Sequence, residues 1–276
     1  MPRGSWIEEA DALLAKIAER NSIGESDEDL RRASAAVAWA VDLYHISTCL
    51  GEQPFRSIAV ELSKTTHGNL LASNESCAAK NYLSQFWVGA LLAQGKLNPE
   101  MLAFDAPGRP KPDYIVQCSA VRFAVEVKRP SNGDAAIRLV GDAGDQIRRY
   151  DRPGIIVVDA TDCMTSDPFQ VTSNPQGVVP TVRSDLEQFH QQLVRHVETY
   201  SRSNKFHQVA MLISFARYWP WIRGEALQRA AGINFRASAT RYRWGHQVTG
   251  LTRRVQDGIL RGVEQLTGNP PRYSYF

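Results

Sequence analysis

The sequence predicts an α/β fold, a mixed sheet flanked by helices, and three stretches carry that prediction. Residues 113–118 and 121–128 are rich in β-branched and aromatic side chains and read as two strands. Residues 134–150 read as a helix, opened by Gly133-Asp134 and followed by Pro153-Gly154. Ile155-Ile156-Val157-Val158-Asp159 is a short continuous apolar run, the pattern of a strand covered on both faces.

In chain order, Ser5 to about Arg20 reads as an amphipathic helix with Ile7, Leu13, Leu14 and Ile17 on one side. Asn21 to Glu28 is a polar linker. Asp29 to Cys49 reads as an Ala-rich helix apolar enough to be buried, and Pro54 to Lys64 as another helix. After a loop, a long apolar helix runs from Glu75 to about Gln94, with Ser73 or Asn74 as cap and Glu75 well placed for the helix dipole. Leu102-Ala103-Phe104 is a candidate fringe strand.

The gap between the next two strands is too short for a helix, so they join as a hairpin. A two-residue loop at Ser119-Ala120 sets Cys118 opposite Val121 and Asp113 opposite Glu126. Ser-Ala lacks the Asn-Gly chemistry of the tightest turns. Gly141 and Gly144 are weak helix formers and predict a break near Gly141, with a short second segment from Asp145. Thr161 to Val182, with Pro168, Pro175, Gly177 and Pro180, reads as a long loop placed to edge a cleft. A helix follows over Arg183 to Ser201, starting at Ser184-Asp185, then a last strand over Gln208 to Phe215. The remainder reads as helix-rich, with helices at Gly224 to Ala231 and Gln247 to Leu266.

Glu126 and Lys128 are two residues apart on a strand and share one face, which the hairpin register extends to Asp113. Two carboxylates and one ammonium suit a particular chemistry. Hard oxygen ligands bind Mg2+, which keeps several waters. Such an ion acidifies a water and neutralises charge on a phosphate. A lysine beside it can orient that water. Gln146 and Tyr150 are four apart and share one helix face, where the glutamine amide can donate to a phosphate or a water.

Pro112-Asp113, Glu126-Val127-Lys128 and Gln146-Ile147-Arg148-Arg149-Tyr150 together resemble the PD-(D/E)xK nuclease superfamily. The last of these matches the Gln-x-x-x-Tyr helix motif of RecB-type nucleases. Glu126-Val127-Lys128-Arg129-Pro130 ahead of that helix is also similar to the nuclease domain of type I restriction motor subunits. The resemblance spans roughly Asn74 to Ala160. It implies a restriction-endonuclease-like core of order α-β-β-β-α-β and metal-dependent hydrolysis of DNA phosphodiesters, in restriction, phage defence or repair. On this resemblance Mg2+ is the cofactor, and Mn2+ can substitute. Asp113 and Glu126 would bind the metal with the Val127 carbonyl, and Lys128 would position the water. Gln146 would orient water or phosphate, and Tyr150 would support the site. Nucleases of this class often add an acid from the preceding helix, for which Glu75 is the candidate and Glu61 a weaker one. The chain then divides into an N-terminal helical cover (1–73), a nuclease-like core (74–216) and a basic C-terminal region (217–276).

Length and composition fit this reading. The 276 residues, 43% hydrophobic with six tryptophans, can build a sizeable core. No apolar run is long enough for a transmembrane helix, and the first residues lack a signal-peptide core, so a cytoplasmic protein without membrane contact is expected. Cysteines 49, 77, 118 and 163 form no Cys-x-x-Cys pair and read as reduced. His45 and Cys49 are four apart, but two ligands make no zinc site.

The net charge of +3 is unevenly spread. From Arg217 onward, ten arginines against three acids (Glu225, Asp257, Glu264) give +7, which leaves −4 for residues 1–216. The arginine fork suits phosphates and stacks on bases. Tyr218, Trp219, Trp221, Phe235, Tyr242 and Trp244 lie among these arginines. DNA is the expected partner, with Arg241, Arg243, Trp244, Arg253 and Arg254 as contacts. A homodimer or a separate protein partner is compatible with the same surface. The alternatives are a non-catalytic DNA- or protein-binding module on the same fold, or an effector or toxin nuclease.

Overall fold

The computed structural model describes residues 26–50, 78–102, 111–167, 169–172, 175–201, 206–219, 221–223, 227–229, 232–239 and 246–267, with positions 8, 11, 12 and 15 before them. The elements are α1 (Asp27–Leu50), α2 (Ala78–Gln94), β1 (Glu100–Met101), β2 (Tyr114–Cys118), β3 (Val121–Lys128), α3 (Gly133–Tyr150) and β4 (Gly154–Asp159). They continue with β5 (Val171–Thr172), α4 (Pro175–Ser201), β6 (Val209–Tyr218), β7 (Trp221–Arg223), β8 (Leu227–Arg229), β9 (Gly232–Ala239) and α5 (His246–Thr267). The expected helix over Pro54–Lys64 lies outside the described residues, as do Glu61 and Glu75. The described positions of the expected helix over Ser5–Arg20 are helical.

Six strands form a mixed sheet in the order β1-β2-β3-β4-β6-β9. The centre, β3-β4-β6, is parallel, and β2 and β9 flank it antiparallel. β5, β7 and β8 make a small second sheet. On one face, α1, α2 and α5 bury Trp39, Phe86, Trp87, Val255 and Ile259 against Phe123, Val125 and Phe215. On the other, α3 and α4 bury Val140, Ile147, Leu186 and Leu193 against Ala124, Ile156, Val158 and Leu212. Both faces of β4 are covered, which is why its run is apolar up to Asp159.

The hairpin has the register that counting predicts, with Cys118 opposite Val121 and Tyr114 opposite Val125. Ser119 has φ 55° and Ala120 does not share that sign, the type II′ pattern whose twist matches the strands. Asn132 caps α3 by accepting from the Ala135 amide at 2.8 Å. The expected break near Gly141 does not occur. Gly141 and Gly144 lie buried on the packed face of a continuous helix, where tertiary contact outweighs weak propensity.

Two expectations fail in the second half. The stretch 161–182 is not one loop, because it holds a 3-10 turn at Thr161–Cys163, then β5, and α4 begins at Pro175. The prolines obscured that start, although proline is well tolerated in a first turn. The expected helix over Gly224–Ala231 is replaced by strand β8, with β7 and β9 on either side. β6 runs across residues 216 and 217, and its pairing with β9 sets Phe215 opposite Phe235. Of the fringe strand expected at Leu102-Ala103-Phe104, only Leu102 is among the described residues, directly after β1. No helix among the described residues is long and apolar enough to cross a membrane.

Candidate active site

The parallel strands β3, β4 and β6 end on one edge of the sheet, the edge where open α/β sheets hold ligands. Asp113 arrives there just before β2, and Glu126 and Lys128 at the end of β3. Asp113 and Glu126 are both buried, at 8% and 1% exposure. Asp113 Oδ2 accepts from the Val127 amide at 2.7 Å, and Oδ1 from Gln85 Nε2 at 3.1 Å. Lys128 Nζ donates to Glu126 Oε2 and to Gln146 Oε1, each at 2.8 Å. Glu126 Oε1 is buried and has no hydrogen-bond partner. The carboxylates, the lysine and the helix glutamine thus meet at one place.

Burial pushes the Asp113 carboxyl up to about 6, against the pull of Lys128 and the Val127 amide. Burial, and then the neighbouring Asp113, push Glu126 up to about 8. Burial works against the charge of Lys128, but Glu126, Asp113 and Asp142 outweigh it and raise its pKa. Lys128 therefore stays cationic and is unsuited to act as a general base. A second cation would relieve both carboxylates and satisfy the bare Glu126 oxygen. The donor set fits a hard divalent ion such as Mg2+ or Mn2+, held by Asp113 and Glu126. Among the described residues no group of three or more His, Cys, Asp or Glu forms a cage. The protein would supply part of a coordination shell, as Mg2+ usually requires.

The other expected site residues are distributed unevenly. Val127 joins the cluster through its amide. Tyr150 lies one turn beyond Gln146, packed against the apolar layer under α3, with Arg152 5.9 Å over its ring. Arg241, Arg243 and Trp244 lie outside the described residues. Arg253 and Arg254 are exposed on α5. Arg254 Nη1 is 3.4 Å from Ser119 Oγ at the hairpin turn. That turn is the length of β3, about 23 Å, from Lys128. Arg217 and Arg236 do not belong to a surface at all. Arg217 is buried between Asp42 and Asp159, and Arg236 pairs with Glu187. The uneven charge partly reflects internal pairing.

Two groups escaped the sequence reading. Gln85 is one, since a glutamine inside an apolar helix carries no signal of its own. The other is a buried ion network on the opposite face from Lys128. Asp159 accepts from Arg129 at 2.9 Å, Arg217 at 2.7 Å, Ser84 and Thr161. Arg129 also grips both oxygens of Asp162 at 3.0 Å. The guanidiniums of Arg129 and Arg217 each lie 5.1 Å from the Trp39 ring. Asp159 closing an otherwise apolar strand, and Arg129 directly after Lys128, were the available hints.

Comparison with known proteins adds no relative. No family model matches the chain, and neither a curated protein nor a solved structure matches it significantly.

Proposed function

We propose that the chain is a Mg2+-dependent nuclease that hydrolyses DNA phosphodiester bonds. The observation that carries this reading is the meeting of Asp113, Glu126, Lys128 and Gln146 at the carboxyl edge of the sheet, with one buried carboxylate oxygen left bare. The order from α2 to β4 is α-β-β-β-α-β, with β2-β3 antiparallel and β3-β4 parallel, which supports a restriction-endonuclease-like core.

Asp113 and Glu126 would hold the ion, with the Val127 carbonyl as a further ligand. The ion, when bound, supplies an acidified water and neutralises phosphate charge. Lys128 places a fixed positive charge beside the carboxylates, where it can orient the attacking water and stabilise the charged phosphorus centre. Gln146 fixes Lys128 through Oε1, which leaves its amide nitrogen to donate to a phosphate oxygen. Tyr150 supports the site indirectly, by seating the end of α3. The free thiols of Cys118 and Cys163 suit a reducing cytoplasm. DNA would be bound in part by the arginines of the C-terminal region, Arg253 and Arg254 among them.

The test is a cleavage panel of supercoiled plasmid, linear duplex and single strands, with Mg2+ or with EDTA. Cleavage that needs Mg2+ and disappears in Asp113→Ala supports the reading. Equal cleavage by parent and Asp113→Ala, from contaminant-free preparations, rejects it.

A further inference from the structure

The helix before the hairpin brings the carboxylates a side chain that is neutral rather than acidic. Gln85 lies on α2, a helix anchored to the sheet by Leu83, Phe86 and Trp87. The Tyr114 hydroxyl donates to the Gln85 carbonyl at 2.8 Å, tying this turn of α2 to the residue after Asp113. The Gln85 side chain then donates from Nε2 to Asp113 Oδ1 at 3.1 Å. The amide is not free to turn over, because that would set its oxygen against a carboxylate oxygen. With the nitrogen committed, Oε1 is buried and has no partner.

Glu126 Oε1 is the second such oxygen, on a carboxylate whose charge Asp113 perturbs. Buried acceptors are nearly always satisfied. Of the four such side-chain atoms among the described residues, one belongs to Gln85, which bonds Asp113, and one to Glu126, whose carboxyl Asp113 perturbs. A donor side chain would satisfy one of them, whereas a cation satisfies several oxygens together.

Resting on the reading of Asp113 and Glu126 as cation ligands, we propose that Gln85 is a third binding residue of that site. Its Nε2 fixes Asp113, and its Oε1 faces the same cation as a neutral oxygen donor. Side-chain amide oxygens are ordinary ligands of hard divalent ions. In this position the amide adds a donor without adding charge. The protein part of the site then carries two carboxylates and Lys128, and substrate phosphates keep a share in binding the ion.

The experiment uses the full chain, with Mn2+ binding read by calorimetry and Tb3+ hydration read from luminescence lifetimes in H2O and D2O. Gln85→Met is expected to weaken Mn2+ binding about tenfold or more and to add one water to bound Tb3+. Gln85→Glu, which is isosteric and keeps the oxygen, is expected to bind Mn2+ at least as tightly as the parent, with the parent's water count. Circular dichroism without ions checks each fold, and Gln85→Glu decides the matter if Gln85→Met does not fold. Binding lost in Asp113→Ala but weakened equally by both Gln85 variants would make Gln85 a donor to Asp113 only and overturn the inference. Parent-like binding and hydration in Gln85→Met would overturn it too, leaving the metal reading intact. A parent that binds neither ion would sink both.

Discussion

Replacing Asp159 with asparagine should destabilise the protein severely without touching the proposed chemistry. Asp159 is fully buried and takes charge-assisted bonds from Arg129 at 2.9 Å and Arg217 at 2.7 Å. Burial alone would raise its pKa, but Arg129 and Arg217 hold it well below the usual carboxylate range. In Asp159→Asn the two guanidiniums stay buried, with Asp162 and Asp42 as their remaining acids. Removing one partner of a buried pair typically costs about 3–5 kcal/mol. The surviving acids place this case near the lower end, about 3 kcal/mol. With a urea m-value of about 2 kcal/mol/M, the midpoint should fall by roughly 1.5 M. Tryptophan fluorescence is a suitable probe, because Trp39 stacks on both guanidiniums and Trp87 on Arg217. The double variant Asp159→Asn/Arg217→Met should recover part of the loss, since one uncompensated charge is gone. A loss under about 1 kcal/mol in the single variant would refute the reasoning.

Other expectations follow from the same packing and charges. Burial lowers His190 to about 4 while its two ring nitrogens bond Ser214 and Ser238, so the folded protein excludes a proton that the unfolded chain binds below 6.5. That stability is present above pH 6.5 and is lost as pH falls toward 4, by up to about 3 kcal/mol. His190→Gln should flatten the loss in urea titrations between pH 7 and pH 4.5, and an unchanged pH slope would reject the assignment. A Cβ on Gly262 would lie 2.1 Å from the Leu91 carbonyl oxygen, where α5 crosses α2. Gly262→Ala should therefore cost about 1–3 kcal/mol by thermal or urea unfolding; a neutral result would mean the helices are not so close. Arg253→Ala/Arg254→Ala should lower the salt slope of DNA binding by roughly two units and leave Mn2+ binding unchanged. An unaltered slope would remove these residues from the DNA surface.

What could be read from the sequence was local and periodic. The hairpin register followed from a two-residue turn and a period of two, and these alone brought Asp113, Glu126 and Lys128 together. The buried strand β4 followed from an unbroken apolar run. The spacing on α3 set Gln146 and Tyr150 on one face, while the place of Gln146 beside Lys128 was implied by the family resemblance. Features set by tertiary pairing were not legible. Gln85 reaches Asp113 across 28 residues and Arg217 reaches Asp42 across 175, and nothing local marks either pair. Arg217 and Arg236 looked like part of a binding surface because composition cannot separate an exposed charge from a paired internal one. The same bias hid β9, although Ile233, Phe235 and Ala237 alternate with Asn234, Arg236 and Ser238 as a strand requires. At Gly141 local propensity pointed away from helix, and packing prevailed.

The central claim is that Asp113 and Glu126 hold a divalent ion while Lys128 acts on the substrate beside it. The most direct measurement compares the parent with Lys128→Met for DNA cleavage at a Mn2+ concentration that calorimetry shows to saturate both proteins. The account predicts that Lys128→Met binds Mn2+ as tightly as the parent or tighter, because a neighbouring positive charge has gone, yet cleaves at least a hundredfold more slowly, on the order of the loss when an electrostatic group is removed from a reacting centre. Parent-like cleavage by ion-loaded Lys128→Met, or no ion-dependent cleavage by the parent, would contradict it.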